Sequence, residues 1–249
     1  MLRDLKTVRG FSLKASDGEI GNVRDVFFDD VDWAVRYLVV DTGSWLTGKT
    51  VLIVPKFLGP PDDASRTIRV SLTRSKIEGS PAIESHQPVT RQHETEYLRY
   101  YGLSYYWPEP IMGGFPIGLN STMMPPPDKV GQKKHRGDPN LQSSRDVTNF
   151  PIRASDGELG HVQDFILDDE DWTIRYLIVD TTNWWPGGLV LVSPKWIEHI
   201  DWKTREVQLA LPRETLRQAP PYHPFSPITD EYEKRLLGYY QPHLSISKK

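Results

Sequence analysis

The stretch ASDGE at residues 15–19 recurs letter for letter at residues 154–158, and it opens a much longer duplication. Displaced by 139 positions, residues 15–45 (ASDGEIGNVRDVFFDDVDWAVRYLVVDTGSW) match residues 154–184 (ASDGELGHVQDFILDDEDWTIRYLIVDTTNW) at 19 of 31 positions without a gap. Half of the mismatches exchange one apolar residue for another, as at Ile20/Leu159, Val35/Ile174 and Val39/Ile178. The same offset continues downstream. Pro55-Lys56 meets Pro194-Lys195, Arg66 meets Arg205, Glu94 meets Glu233, and Tyr100-Tyr101 meets Tyr239-Tyr240. A gapless match over about 90 residues is a duplicated domain, not a stack of short repeats. Whatever one copy folds into, the chain folds into twice.

The 249 residues suffice for two domains of about 100 residues each. The predicted organisation is a first repeat at 1–102, a Pro/Gly-rich linker at 103–143 and a second repeat at 144–249. The linker includes Pro125-Pro126-Pro127 and has no sustained periodicity. Its first part carries Tyr105-Tyr106-Trp107 and Ile111-Met112, too apolar for a solvated tether, and is expected to lie against a domain.

Within a repeat the pattern is β. An Asp-Gly pair between alternating segments, Asp17-Gly18 and Asp156-Gly157, predicts a hairpin turn, because glycine takes positive φ at low cost. Residues 23–28 and 33–40 read as strands on either side of an acidic turn at 29–32. Residues 51–54 make a short buried strand ended by Pro55. Ile68, Val70 and Leu72 alternate with polar neighbours, as do Val207, Leu209 and Leu211. Single helical turns follow at 74–77 and 213–216. Each repeat closes with a helix capped by Thr90 or Thr229 and running to about Tyr101 or Tyr240. About five short strands with one terminal helix predict a small antiparallel barrel, whose closure removes exposed edges.

These residues resemble a known family. Asp17-Gly18, Gly21, Asp25, Arg36 and Asp41, with Asp156-Gly157, Gly160, Asp164, Arg175 and Asp180, lie in runs similar to the PRC-barrel domain. The likeness covers about residues 5–80 and 144–219. That family includes the cytoplasmic part of the photosynthetic reaction centre H subunit and the C-terminal domain of the ribosome maturation factor RimM. The resemblance implies two SH3-like, six-stranded barrels that bind other macromolecules, and it implies no catalytic residue and no cofactor. Neither a membrane helix like that of the H subunit nor a counterpart of RimM's N-terminal domain accompanies the match.

Several residues are candidate sites. The acidic turns, Asp29, Asp30 and Asp32 with Asp168, Asp169, Glu170 and Asp171, have the carboxylates for a hard cation, but not the spacing or mid-loop glycine of an EF-hand. Asx turns, in which Asp accepts from backbone N–H groups, explain them as well. Asp25 and Arg36 are equally spaced about their turn, as are Asp164 and Arg175, so a symmetric hairpin would make each a cross-strand ion pair. Trp45, Trp184 and Trp185 follow the third strand and are the candidate partner-binding residues; the alternative is that they plug a barrel end. Trp33 and Trp172 read as packing residues. The 7 histidines show no i, i+3 or i+4 pairing. Phosphate-binding and nucleophile-elbow motifs are absent from the sequence.

Composition excludes further classes. With no cysteine, thiol catalysis, disulfides and thiolate metal sites are ruled out. A net charge of -3 gives no general drive toward nucleic acid, and Lys133-Lys134-His135-Arg136 is an isolated basic run in the linker. No apolar run approaches the ~18–20 residues of a membrane span, and the charged N-terminus is unlike a signal peptide, so a cytoplasmic location is expected. The expected function is a non-enzymatic protein-binding or assembly module, with the sister repeat as an internal partner and homo-oligomerisation left open. The alternatives are a factor linked to RNA processing or ribosome maturation, and an accessory protein of an electron-transfer complex resembling the H subunit.

Overall fold

The computed structural model describes residues 1–44, 46, 49–81, 89–107, 111–112, 115–116, 140–182, 188–224 and 226–244. In the first repeat, β1 (Leu2–Asp4) and the one-turn helix α1 (Leu5–Val8) precede a hairpin of β2 (Ser12–Ala15) and β3 (Gly18–Asp29). Then come β4 (Val35–Asp41), β5 (Thr50–Ile53), β6 (Thr67–Arg69), α2 (Arg74–Glu78) and α3 (Arg91–Tyr101). A small ribbon follows, made of β7 (Ile111–Met112) and β8 (Phe115–Pro116). The second repeat comprises β9 (Leu141–Ser143), α4 (Ser144–Val147), β10 (Pro151–Ala154), β11 (Gly157–Asp168), β12 (Thr173–Asp180) and β13 (Leu189–Val192). It ends with β14 (Ile197–Asp201), β15 (Glu206–Leu209), α5 (Arg213–Arg217) and α6 (Asp230–Leu244).

The fold is mainly β, with two main sheets. One has the order β5-β4-β3-β2-β6 and the other β13-β12-β11-β10-β15-β14. The β2/β6 and β10/β15 pairs are parallel, and the other neighbours are antiparallel. Among the described residues no pairing joins β5 to β6 or β13 to β14. The ring of strands expected of a closed barrel is therefore not completed by hydrogen bonds. The extra strand of the second sheet has a sequence cause. Its counterpart in the first repeat contains Pro60-Pro61 where β14 has His199-Ile200, and proline cannot donate to a ladder.

The duplicated ASDGE is the first hairpin of each sheet. Ala15 pairs with Gly18, so Ser16-Asp17 forms the turn and the positive φ, 154°, falls on Gly18 beyond it. Asp17 accepts from the Arg74 N–H at 2.7 Å, and Asp156 from the Arg213 N–H at 2.8 Å, so each turn caps the short helix that follows its sheet. Gly21 and Gly160 mark a close crossing. A Cβ at either would lie 1.9 Å from the carbonyl oxygen of Asp41 or Asp180.

The edges are managed by exchange. β2 covers only the first part of the long strand β3, leaving the edge at residues 27–29 for β9, the strand that leads into the second repeat. Reciprocally, β1 of the first repeat pairs with residues 166–168 of β11. Three-residue strands thus satisfy backbone groups that would otherwise form an open edge. The exchange corrects one boundary: residues 141–143, expected to be linker, belong to the first sheet. The tips of the two long hairpins also meet. The Val35 N–H donates to Trp172 O at 2.8 Å, and the Ile174 N–H to Trp33 O at 2.9 Å. Beneath them Phe28 lies 5.6 Å from Phe165, ring centre to ring centre, within one apolar core continuous through both repeats. A second apolar cluster lies on the first sheet, where α3 packs over Tyr37, Val39 and Leu52.

Candidate functional site

Two regions concentrate polar groups against apolar surroundings. The first is the seam made by strand exchange. Asp25, buried on β3, accepts from the Ser143 hydroxyl at 2.6 Å, the Ser144 hydroxyl at 2.8 Å, and the N–H groups of Val26 at 2.7 Å and Arg145 at 3.3 Å. Ser144 also accepts from Arg9 at 3.0 Å. A Ser–Asp pair could suggest nucleophilic chemistry, but Ser144 is fully buried and its oxygen is already engaged on both sides. Its role is to join the repeats.

The matching seam around Asp164 is differently furnished. The Lys6 N–H donates to Asp164 at 2.9 Å, but Asp4 stands where the first seam has Ser143. Asp164 Oδ1 accepts no hydrogen bond among the described residues, and the Arg9 guanidinium lies 3.9 Å from it. Burial, reinforced by the Asp4 charge against the pull of Lys6 N–H and Arg9, raises the Asp164 pKa. Asp4 in turn accepts a short hydrogen bond from the buried Tyr222 hydroxyl.

The second region is a groove of about 1400 Å³ on the second repeat. Its wall is the outer face of β12 with Tyr176, the Pro194-Lys195-Trp196 turn, and α6 with Glu233, Leu237 and Gln241. The hairpin tip of the first repeat, Val31, Asp32 and Trp33, completes it, so both repeats contribute. Two large apolar side chains remain open to solvent there, Leu237 at 50% and Val31 at 73% exposure. The Tyr176 hydroxyl donates to Glu233 at 2.8 Å, and burial followed by that carboxylate pushes the Tyr176 pKa well up. Arg175 is anchored by Asp168 and Asp171, both at 2.8 Å.

No family model matches the chain, and no curated protein matches it. The sites are therefore judged on geometry.

The residues singled out from sequence divide clearly. Asp17 and Asp156 cap helices, and Gly18 and Gly157 follow the turns. Gly21 and Gly160 permit the strand crossing at Asp41 and Asp180, whose carboxylates cap the Gly43 and Thr182 N–H groups at 2.9 and 2.8 Å. The proposed Asp25–Arg36 and Asp164–Arg175 pairs do not form. Near the turn the ladder skips Arg36 on β4 and Arg175 on β12, and this shift sets Asp25 opposite Val39 and Asp164 opposite Ile178. Each Asp turns into the seam, while Arg36 reaches Asp32 at 2.5 Å and Asp29 at 3.7 Å. The acidic turns are Asx turns: Asp29, Asp32, Asp168 and Asp171 each accept from an N–H two residues on. Trp45, Trp184, Trp185 and Lys133-Lys134-His135-Arg136 lie outside the described residues. Trp33 and Trp172 are buried packing residues with positive φ, 61° and 56°. Sequence reasoning missed the groove. The available signals were Gln241 standing where the first repeat has Gly102, and Leu244-Ser245-Ile246 where it has Tyr105-Tyr106-Trp107.

Proposed function

We propose that this chain is a tandem PRC-barrel protein acting as a non-enzymatic protein-binding module, with the groove on its second repeat as the binding surface. The PRC-barrel assignment rests on the likeness of the paired sequence motifs. One observation carries the functional reading. Among the described residues, an apolar groove built by both repeats stays open on the second repeat, while the equivalent face of the first repeat is covered by the chain itself. Strand exchange and a continuous core hold the two walls of that groove together.

The test is affinity capture with the full chain and with Leu237→Lys, which alters the exposed centre of the groove. A partner retained reproducibly by the wild type and released by the variant supports the reading. Equal retention by both, or no partner at all, removes it. Co-sedimentation with ribosomal subunits, abolished by salt, would instead favour a role linked to RNA.

A further inference from the structure

The first repeat shows what fills such a groove. Its helix α3 ends at Gly102 in the left-handed conformation (φ 65°, ψ 35°), and the chain doubles back over the outer face of the sheet. Tyr106 then donates its hydroxyl to Glu94 at 2.6 Å, beside the Tyr37 hydroxyl at 3.0 Å on the same oxygen. The Arg36 guanidinium lies 3.9 Å from the Tyr106 ring centre, and Trp107 packs edge-on against that ring at 4.7 Å. Beneath this cover Leu98 is 4% exposed.

Four of the receiving groups recur 139 residues on. Tyr176 stands for Tyr37, Glu233 for Glu94, Arg175 for Arg36 and Leu237 for Leu98. The cover does not recur. Gln241 replaces Gly102, and α6 continues to Leu244 instead of turning back. The residues matching Tyr105-Tyr106-Trp107 are Leu244-Ser245-Ile246. Two of the receiving side chains are correspondingly open: Arg175 is 46% exposed against 18% for Arg36, and Leu237 50% against 4% for Leu98, while Tyr176 stays buried.

We infer that the second-repeat groove binds an extended segment of a partner protein bearing a tyrosine flanked by another aromatic residue. Its tyrosine hydroxyl donates to Glu233, its ring lies against Arg175, and its neighbours cover Leu237. The tyrosine is the specific anchor. Asp230 stands where Arg91 grips the Trp107 ring at 4.0 Å in the first repeat, so the second aromatic contributes area without a matching cation. This inference rests on the binding-module reading and names the class of partner.

The probe is a fluorescently labelled synthetic peptide, GLSYYWP, copied from residues 102–108 and titrated against the full chain by fluorescence anisotropy. We expect saturable binding. It should weaken about tenfold or more with Leu237→Lys, and by a similar factor when the second tyrosine of the peptide is replaced by phenylalanine. Leu237 is half-exposed, so its variant should keep the wild-type melting temperature, which excludes misfolding. Glu233→Gln, which preserves the shape of the site, should give a smaller loss. Binding unaffected by Leu237→Lys, or no saturation at millimolar peptide, overturns the inference. So does a dimer of the chain that the peptide cannot dissociate, since the groove would then belong to a second copy. Should the peptide fail while Leu237→Lys still releases a captured partner, the aromatic-segment inference falls and the binding-module reading stands. Should both fail, both fall.

Discussion

The two repeats share a sheet order and a motif set, and they differ most where each meets something outside its own sheet. On the outer face, the first repeat covers Tyr37 and Leu98 with its own aromatic segment, while the second leaves Tyr176 and Leu237 beside an open groove. At the seam, Asp25 is surrounded by donors, while Asp164 faces another carboxylate. Sheet-forming residues were kept in both copies, and the contact residues diverged. Among the described residues, one outer face is thus covered by its own chain and the other is open.

The broadest test of this comparison asks whether the sheets are equivalent. Gly21→Ala and Gly160→Ala should each cost on the order of 4 kcal/mol or more, because either Cβ would press into a carbonyl oxygen and the strands would have to part. Urea unfolding would show this, and a large cost at only one position would break the equivalence.

The seams should separate next. Asp25→Ala strands two hydroxyls and two N–H groups, for a loss of about 3–5 kcal/mol. Asp164→Asn keeps an oxygen for the Lys6 N–H and removes the repulsion from Asp4, so stability at neutral pH should hold or rise. The sign follows from the raised pKa. The folded state holds the Asp164 proton more tightly than the unfolded chain, so this group's contribution is most favourable below its ordinary value of 3.8 and declines as pH rises through the folded pKa.

The outer faces give a contrast of similar kind. Leu98→Ala, beneath the aromatic cover, should cost about 2–4 kcal/mol. Leu237→Ala should stay within about 0.5 kcal/mol. Comparable losses in thermal unfolding at both positions would mean that the second face is covered as well.

The smallest effect is at Asp30. Burial and then the Asp29 charge raise its pKa to about 6, and its neighbour across the exchange is the neutral Gln142, at 3.4 Å. The counterpart Asp169 instead meets Arg3, whose Nε donates to it at 2.7 Å. Stability should therefore fall modestly as pH rises between 3.8 and about 6, and Asp30→Asn should flatten that slope. An unchanged slope would assign the pH response to other groups.

Much of this was legible in the residues. The offset of 139 predicted two like units, and the turn chemistry, alternating apolar positions and threonine caps placed the hairpins and terminal helices. Pro60-Pro61 also carried the loss of one strand, although only the comparison with β14 gives those residues their meaning. Equal spacing about a turn does not pair Asp25 with Arg36 because it fixes partners only in an unbulged ladder, and here the ladder skips Arg36 on β4 and Arg24 on β3. The groove went unseen for a related reason. A groove is defined by what does not fold back over it, and sequence periodicity reports on single elements.

By itself, then, the sequence determined the local structure: where strands turn, where helices start, and that the design occurs twice. Those are matters of backbone propensity and of apolar alternation within about ten residues. Only the tertiary structure decided that the three-residue segments LRD and LQS cross to the opposite sheets, that Asp25 and Asp164 face unlike neighbours, and that one outer face is filled and the other open. Segments that short carry no period of their own. Their pairing is set by which edges remain unsatisfied after the longer strands have formed, and that is a property of the whole chain.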